Sequence, residues 1–149
     1  MTKATDLLQF YEDLDLGVYQ DLAQELASIN HLNIEGELLH QARIYSSYAG
    51  LLEHAKKECG NLEIELIRCQ TNARIEARES CEAKKIKATV AILDSFVNSD
   101  ESCIKLTKKL VELNHKEGLL KSLVNALSHR KDCLIQLSTH QRTEKKIYS

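Results

Sequence analysis

Residues 45–73 read YSSYAGLLEHAKKECGNLEIELIRCQTNA, and their small and apolar residues recur at alternating intervals of three and four. The recurring positions are Tyr48, Leu52, Ala55, Cys59, Leu62, Leu66, Cys69 and Ala73. Such spacing forms a seam down one side of an α-helix, and a seam of this length is typical of helices that pack along one another. The stretch therefore predicts helix-on-helix packing.

A second seam lies in the C-terminal third of the chain. Its positions are Cys103, Leu106, Leu110, Leu113, Glu117, Leu120, Val124, Leu127, Lys131 and Leu134. The 149 residues include no proline and only five glycines, so few turns should interrupt the helices. We predict an all-α fold, an elongated helical bundle with coiled-coil-like heptad seams.

The last predicted helix has a wide apolar face, because further leucines and isoleucines flank its seam, namely Leu119, Leu123, Ile135 and Leu137. A wide face in a chain of this size usually buries against another subunit. We therefore expect a homo-oligomer. The residues expected to hold it together are Leu113, Leu120, Val124, Leu127 and Leu134.

Capping residues predict where the helices begin and end. One or two short helices should extend to about Ile29, and Asn33 should cap a long helix that continues to Arg74 or beyond. Asn98 stands three residues before Glu101, as in a capping box, which predicts the start of the final helix.

These boundaries divide the chain into three parts: an acidic N-terminal helical arm over residues 1–32, a helical core and oligomerisation region over 33–141, and a flexible tail over 142–149. Within the core, the first seam lapses over about residues 74–85. We expect a bend or an unpacked stretch of helix there, because few apolar side chains would hold it.

Charge is distributed unevenly. The first forty residues contain eight acidic residues against one lysine, a net charge of −7, whereas the remainder contains 19 Lys and Arg against 14 Asp and Glu, a net charge of +5. This asymmetry indicates an acidic arm beside a region that could meet a polyanion, and two solvated helix faces of opposite sign would explain it equally well. No signal peptide or membrane span is recognisable, so we expect a cytoplasmic protein without a membrane partner.

Metal and catalytic sites are not predicted. Two Glu-x-x-His motifs, Glu37–His40 and Glu112–His115, have the spacing used in di-iron helical bundles, but both flank the seams instead of pointing into them. The five cysteines show no C-x-x-C spacing, so neither a zinc site nor a disulfide framework is indicated. Phosphate-binding and nucleophile motifs are also missing from the sequence. We expect no enzyme activity, no metal and no cofactor.

Basic residues gather where the first seam lapses. On a continuous helix Arg74, Arg78 and Lys85 would share one stripe, with Lys84 and Lys87 nearby. The final helix repeats the spacing at Lys105, Lys109 and Lys116. A cationic stripe freed from packing could lie along phosphates. The alternative is a solvated face that neighbouring glutamates balance.

Several segments together resemble the phage recombination mediator UvsY family. They are Ala42–Ser46 (ARIYS), Asn72–Arg78 (NARIEAR), Lys85–Val90 (KIKATV) and the closing leucine-rich helix with Ala126, Arg130 and Leu134, so the resemblance spans about residues 40–137. It implies a ring-forming helical protein that binds single-stranded DNA, contacts the single-strand-binding protein and helps to load a RecA-like recombinase. By position in the pattern, Arg74 and Arg78 would contact DNA. A phage protein of this kind would act in the host cell cytoplasm.

The acidic first forty residues depart from that resemblance. They could cover the basic stripe or dock the recombinase. Two other functions remain open on the sequence: a structural or adaptor coiled-coil protein, such as a phage assembly or scaffold component, and a small inhibitor whose acidic arm mimics DNA. Only the mediator would need Arg74, Arg78 and Lys85.

Overall fold

The computed structural model describes the backbone of residues 4–149 and the side chains from residue 6 onward. All regular secondary structure in this range is helical, which confirms the predicted all-α class. The elements are α1 (Ala4–Asp13), α2 (Leu16–Ala27), α3 (Ile34–Ala83), α4 (Val90–Ser99) and α5 (Glu101–Tyr148). Two of these, α3 and α5, are long and pack against each other.

Both predicted seams are packed. In α3, Leu52, Ala55, Cys59, Leu62 and Ala73 are buried, and Gly60 lies inside an uninterrupted helix as expected. In α5 the buried seam members are Cys103, Leu120, Leu127 and Leu134, whereas Lys131 is exposed. The sequence periodicity therefore identifies the packed face of each long helix.

The chain divides into two compact units. Unit 1 contains the chain up to Ala55 together with Lys116–Ser149, and unit 2 contains Lys56–His115. Each unit thus combines one part of α3 with one part of α5, because both long helices continue from one unit into the other.

In unit 1 the acidic arm is packed against the long helices. The rings of Phe10 and Tyr48 meet edge to face with centroids 5.5 Å apart, and Tyr11 meets His54 in the same way at 5.6 Å. The Lys116 ammonium donates to the main-chain carbonyl of Tyr11 at 3.0 Å, at the end of α1. A cation at this position complements the partial negative charge at a helix C-terminus.

Part of the wide apolar face of α5 is covered by the chain's own arm, whereas Ile135 on the same helix remains 49% exposed. Leu123 and Leu127 of α5 line a cavity of about 240 Å³ together with Ala23 and Leu26 of α2. Leu120, Leu127 and Leu134, expected to hold subunits together, are at most 1% exposed, whereas Leu113 and Val124 are half-buried. The three buried leucines cannot face a second copy unless this packing opens.

A polar network fastens the start of α3 to α5 within unit 1. The Arg130 guanidinium donates to the Gln41 side chain at 2.8 Å and forms a short ion pair with Glu37. Gln41 is 3% exposed, and its amide donates to the main-chain carbonyl of Leu127 at 2.6 Å. Arg130 also donates to the Ser28 carbonyl at 3.3 Å, after the end of α2. The network thereby joins three segments: the end of α2, the start of α3, and α5.

Unit 2 corrects one of the two alternatives expected for residues 74–85, an unpacked stretch of helix; the other, a bend, is found at Lys84 and Lys85. Ala77 is fully buried and Cys81 is 4% exposed, so α3 stays packed to its last turns. The sequence pattern misled here because the seam continues with small side chains spaced four apart, Ala73, Ala77 and Cys81, instead of leucines. Leu93 and Val97 are the buried residues of α4 in the same unit.

The helix ends agree with the sequence at one site and differ at two. The side-chain oxygen of Asn33 accepts the Gly36 N–H at 3.1 Å, so the predicted cap of α3 is confirmed. At α5 the cap is Asp100, which accepts the Cys103 N–H at 2.8 Å, and Asn98 belongs to α4 instead. Helix α5 also continues to Tyr148, through the segment expected to be a flexible tail.

Candidate nucleic-acid interface

The end of α3 sets the position of the central basic residues. The Lys85 N–H bonds to the Glu82 carbonyl at 3.0 Å and the Ile86 N–H bonds to the Cys81 carbonyl at 2.9 Å. This pair of bonds is a Schellman motif, which terminates a helix with one residue in the left-handed region. That residue is Lys85, with a φ of 55°. The chain reverses here without the glycine that sequence rules would look for.

Because α3 ends at Ala83, Lys85 does not continue the stripe of Arg74 and Arg78, and this part of the prediction is wrong. Arg74 and Arg78 lie one turn apart on α3, whereas Lys84, Lys85 and Lys87 lie on the connection to α4. All five side chains are exposed. We call residues 74–87 the basic tip of unit 2.

The basic tip is only moderately cationic. It contains five Lys and Arg, and three glutamates, Glu76, Glu79 and Glu82, which are also exposed. Arg74 in addition forms an ion pair of 3.1 Å with Asp94 of α4, in which both side chains are about half exposed. Arg74 is therefore partly neutralised, and Arg78 and the three lysines are better placed to meet an anion.

The other predicted cations lie on α5. Lys105 and Lys109 are exposed in the first turns of α5 within unit 2. Lys116, on the same predicted face, is half-buried against α1 in unit 1 and differs from them in that respect.

One exposed aromatic was missed by the sequence reasoning. Phe96 of α4 is 40% exposed. It lies two positions from Asp94, which places the two side chains about 160° apart around the helix. Phe96 thus points away from the side of α4 that Arg74 contacts. Base stacking beside the Arg74 cation is not available from Phe96, so the basic tip is suited to phosphate contacts.

Two cysteines and an aspartate form a cluster that the sequence did not predict. Cys69 of α3, Cys103 of α5 and the capping Asp100 bring two Sγ atoms and one carboxylate oxygen within 4.8 Å of one another. The two Sγ atoms are 2.9 Å apart, and Cys69 Sγ lies 3.7 Å from Asp100 Oδ1. No local motif encodes this grouping, because Cys69 and Cys103 are 34 positions apart.

Burial and hydrogen bonds alter the acidity of this group. Burial raises the pKa of the Cys103 thiol to about 12, and its contacts with Cys69 and Asp100 add to the effect. The N–H of Cys103, donated to Asp100, holds the pKa of that carboxyl below its usual value. The carboxylate is therefore the charged member, and the thiol of Cys103 stays neutral near pH 7.

The two Glu-x-x-His motifs lie in different units. Glu37 is paired with Arg130 in unit 1, whereas Glu112 and His115 are exposed residues of unit 2. In the part of the chain that the structure describes, no helix is long and apolar enough to cross a membrane.

Comparison of the chain with protein-family models, with curated proteins and with solved structures gives no match.

Proposed function

We propose that this protein binds single-stranded DNA through the basic tip and acts as a recombination mediator, a binding protein that helps to load a RecA-like recombinase onto DNA covered by single-strand-binding protein. The observation that supports this proposal is the exposure of Arg78, Lys84, Lys85 and Lys87 around the end of α3. A tip that projects cations without a stacking platform suits a ligand recognised by its phosphates.

Binding by one chain should be weak. Each phosphate neutralised on a single strand contributes about −0.7 to the slope of log K against log salt concentration. Three contacts per chain give a slope of about −2. Several chains along one strand would multiply the contacts and raise the affinity, since every later contact forms at high effective concentration.

Assembly is therefore part of the proposal. We propose a homo-oligomer, a ring in the mediator function, built from elongated bundles whose coiled-coil-like seams are filled within each chain. The surfaces left for assembly are then exposed apolar residues such as Ile67 and Val111, which are 61% and 63% exposed. The recombinase and the single-strand-binding protein are partners that follow from the resemblance.

The test is a fluorescence titration of a labelled poly-dT oligonucleotide at four salt concentrations. The variant Arg78→Gln/Lys84→Gln/Lys87→Gln removes three cations of the basic tip and leaves Lys85 in its turn. We expect weaker binding, and a slope of log K against log salt concentration that is less negative by about 2. Helicity should not change, because none of the three side chains is buried.

The matched control removes three exposed cations of unit 1, Lys121→Gln/Arg142→Gln/Lys145→Gln. Equal losses in the two variants would show a response to net charge alone and reject the basic tip as the site. A parent protein that does not bind at low salt would reject the mediator function.

A second candidate function is a structural or adaptor protein without nucleic-acid binding. One observation favours it: Ile64, Ile67 and Ile75 are exposed on one side of α3, within about 80° around the helix. Exposed apolar side chains in a row are typical of contacts with another chain. Under this function Ile67→Asp abolishes assembly or partner binding, and the three basic-tip substitutions change neither.

A further inference from the structure

We propose that Cys69 and Cys103 form a reversible intramolecular disulfide that links α3 to α5 in unit 2. Their Sγ atoms stand 2.9 Å apart. A disulfide bond measures about 2.04 Å, so a movement of about 1 Å brings the sulfur atoms to bonding distance. Cys69 and Cys103 are both thiols in this structure.

The surroundings favour a neutral product. Cys103 is 3% exposed and packs with Ala73 and Val97, and Leu66 and Cys69 lie against the same cluster. Burial that raises the pKa of the Cys103 thiol opposes a thiolate at this position. A disulfide carries no charge, so it can form in an apolar cluster without burying an ion.

The same surroundings argue against a metal ion. Zinc sites of the structural kind use four ligands, and the described residues supply three here. Two of them would have to be thiolates, and the one at Cys103 would be buried. The third, Asp100, already accepts the Cys103 N–H as the helix cap. A bound divalent ion would therefore leave an incomplete shell and an excess negative charge inside unit 2.

Differences in exposure set the order of the reaction. Cys69 is half-buried and can reach a small oxidant, whereas Cys103 is shielded. With oxidised glutathione, the Cys69 sulfur attacks one sulfur of the glutathione disulfide, whose S–S bond breaks and releases one glutathione thiol. The Cys103 sulfur then attacks the Cys69 sulfur as its proton passes to the departing glutathione sulfur, and the second glutathione leaves as a thiol. Two protein thiols are oxidised, one glutathione disulfide is reduced, and both protein protons end on the departing thiols.

The cross-link would enclose the whole basic tip. Residues 69–103 contain the end of α3, the connection, all of α4 and the Asp100 cap. A bond between the ends of this segment reduces the freedom of the unfolded chain and stabilises unit 2.

The test equilibrates the full-length protein in glutathione buffers from fully reduced to fully oxidised, quenches with an alkylating reagent and maps peptides by mass spectrometry. We expect one species lighter by two hydrogen atoms, with Cys69 joined to Cys103, and a thermal midpoint higher by about 10 °C. The reduced form should return with excess reduced glutathione.

Two variants control the assignment. Cys69→Ala should abolish the cross-link and the rise in thermal midpoint, and Cys133→Ala, which removes an exposed thiol, should preserve both. A cross-link at another pair, or thiols that stay reduced in the most oxidising buffer, would overturn the proposal. So would stoichiometric Zn²⁺ binding to the reduced protein that protects Cys69 and Cys103 from alkylation.

Discussion

Lys85 shows how one backbone angle can control the end of a fifty-residue helix. Its φ of 55° places it in the left-handed region, where a side chain crowds the following carbonyl at a cost of about 1–2 kcal/mol. The two Schellman hydrogen bonds around Lys85 hold it there. The chain thus turns at a position that most proteins give to glycine.

We predict that Lys85→Gly stabilises the protein by about 1 kcal/mol, because glycine adopts the left-handed region without the steric cost. Urea unfolding followed by circular dichroism measures the change. Lys84→Gly is the control, since it adds the same flexibility one position earlier, where φ is not positive, and should not stabilise. A Lys85→Gly protein less stable than the parent would contradict the role given to this angle.

Arg130 and Glu37 couple the stability of unit 1 to pH. Hydrogen bonding from Arg130, together with the Asn30 N–H, lowers the pKa of Glu37 from its ordinary value of 4.5. A lowered pKa in the folded state means that the pair stabilises the fold above pH 4.5. This contribution is lost as the pH falls through the folded-state pKa.

We therefore predict that Glu37→Gln flattens the acid limb of the stability curve. Between pH 6 and about pH 3 the parent should lose more stability than the variant, because only the parent must protonate this carboxyl on unfolding. Chemical unfolding at a series of pH values provides the measurement. Glu35→Gln is the control, as an exposed glutamate of the same turn. Parallel curves for parent and Glu37→Gln would rule out the coupling.

At the scale of the elements, α4 is the piece that shapes the basic tip. Its Asp94 holds Arg74 at 3.1 Å, and its Leu93 and Val97 are buried in unit 2. An exposed ion pair of this kind contributes about 0.2–1 kcal/mol, so an arriving phosphate can displace it. Under the proposed function, Asp94 would compete with DNA for Arg74.

We predict that Asp94→Asn strengthens single-stranded DNA binding by about threefold to tenfold, since it removes a competing carboxylate and frees a cation. The effect should vanish in the background of Arg74→Gln, which separates competition for Arg74 from a general gain of positive charge. The measurement is the same oligonucleotide titration at low salt. An equal gain in both backgrounds would show that Arg74 does not contact DNA.

At the scale of the whole molecule, the exposure of an apolar side chain shows whether it can stabilise the fold of one chain or contact another chain. Leu120 is fully buried in the chain, whereas Ile67 is 61% exposed. A substitution at Leu120 therefore tests the fold of one chain, and a substitution at Ile67 tests contact with another.

We predict that Leu120→Ala destabilises the fold by about 2–5 kcal/mol, as expected for a leucine removed from a packed core. Ile67→Asp should change the free energy of unfolding by less than about 0.5 kcal/mol. Light scattering beside chemical unfolding measures both properties. If Leu120→Ala keeps the parent's free energy of unfolding but lowers the molar mass of the assembly, the leucines hold subunits together and their packing inside unit 1 is wrong.

The sequence alone determined the helical class, the packed faces of α3 and α5, and the Asn33 cap. Each depends on residues within a few turns of one another, and helical periodicity makes such patterns readable. The arm's two short helices, α1 and α2, were also predictable from local apolar spacing.

Only the tertiary structure decided what covers each face. Part of the wide face of α5 lies against α2 of the same chain, and small residues such as Ala77 continue the α3 seam where leucines stop. The Cys69–Cys103 contact joins positions 34 apart. Such contacts depend on how distant segments pack, and periodicity records only that a face is apolar. The left-handed turn at Lys85, after α3 ends, escaped prediction for a related reason: hydrogen bonds hold a backbone angle that the residue type does not favour.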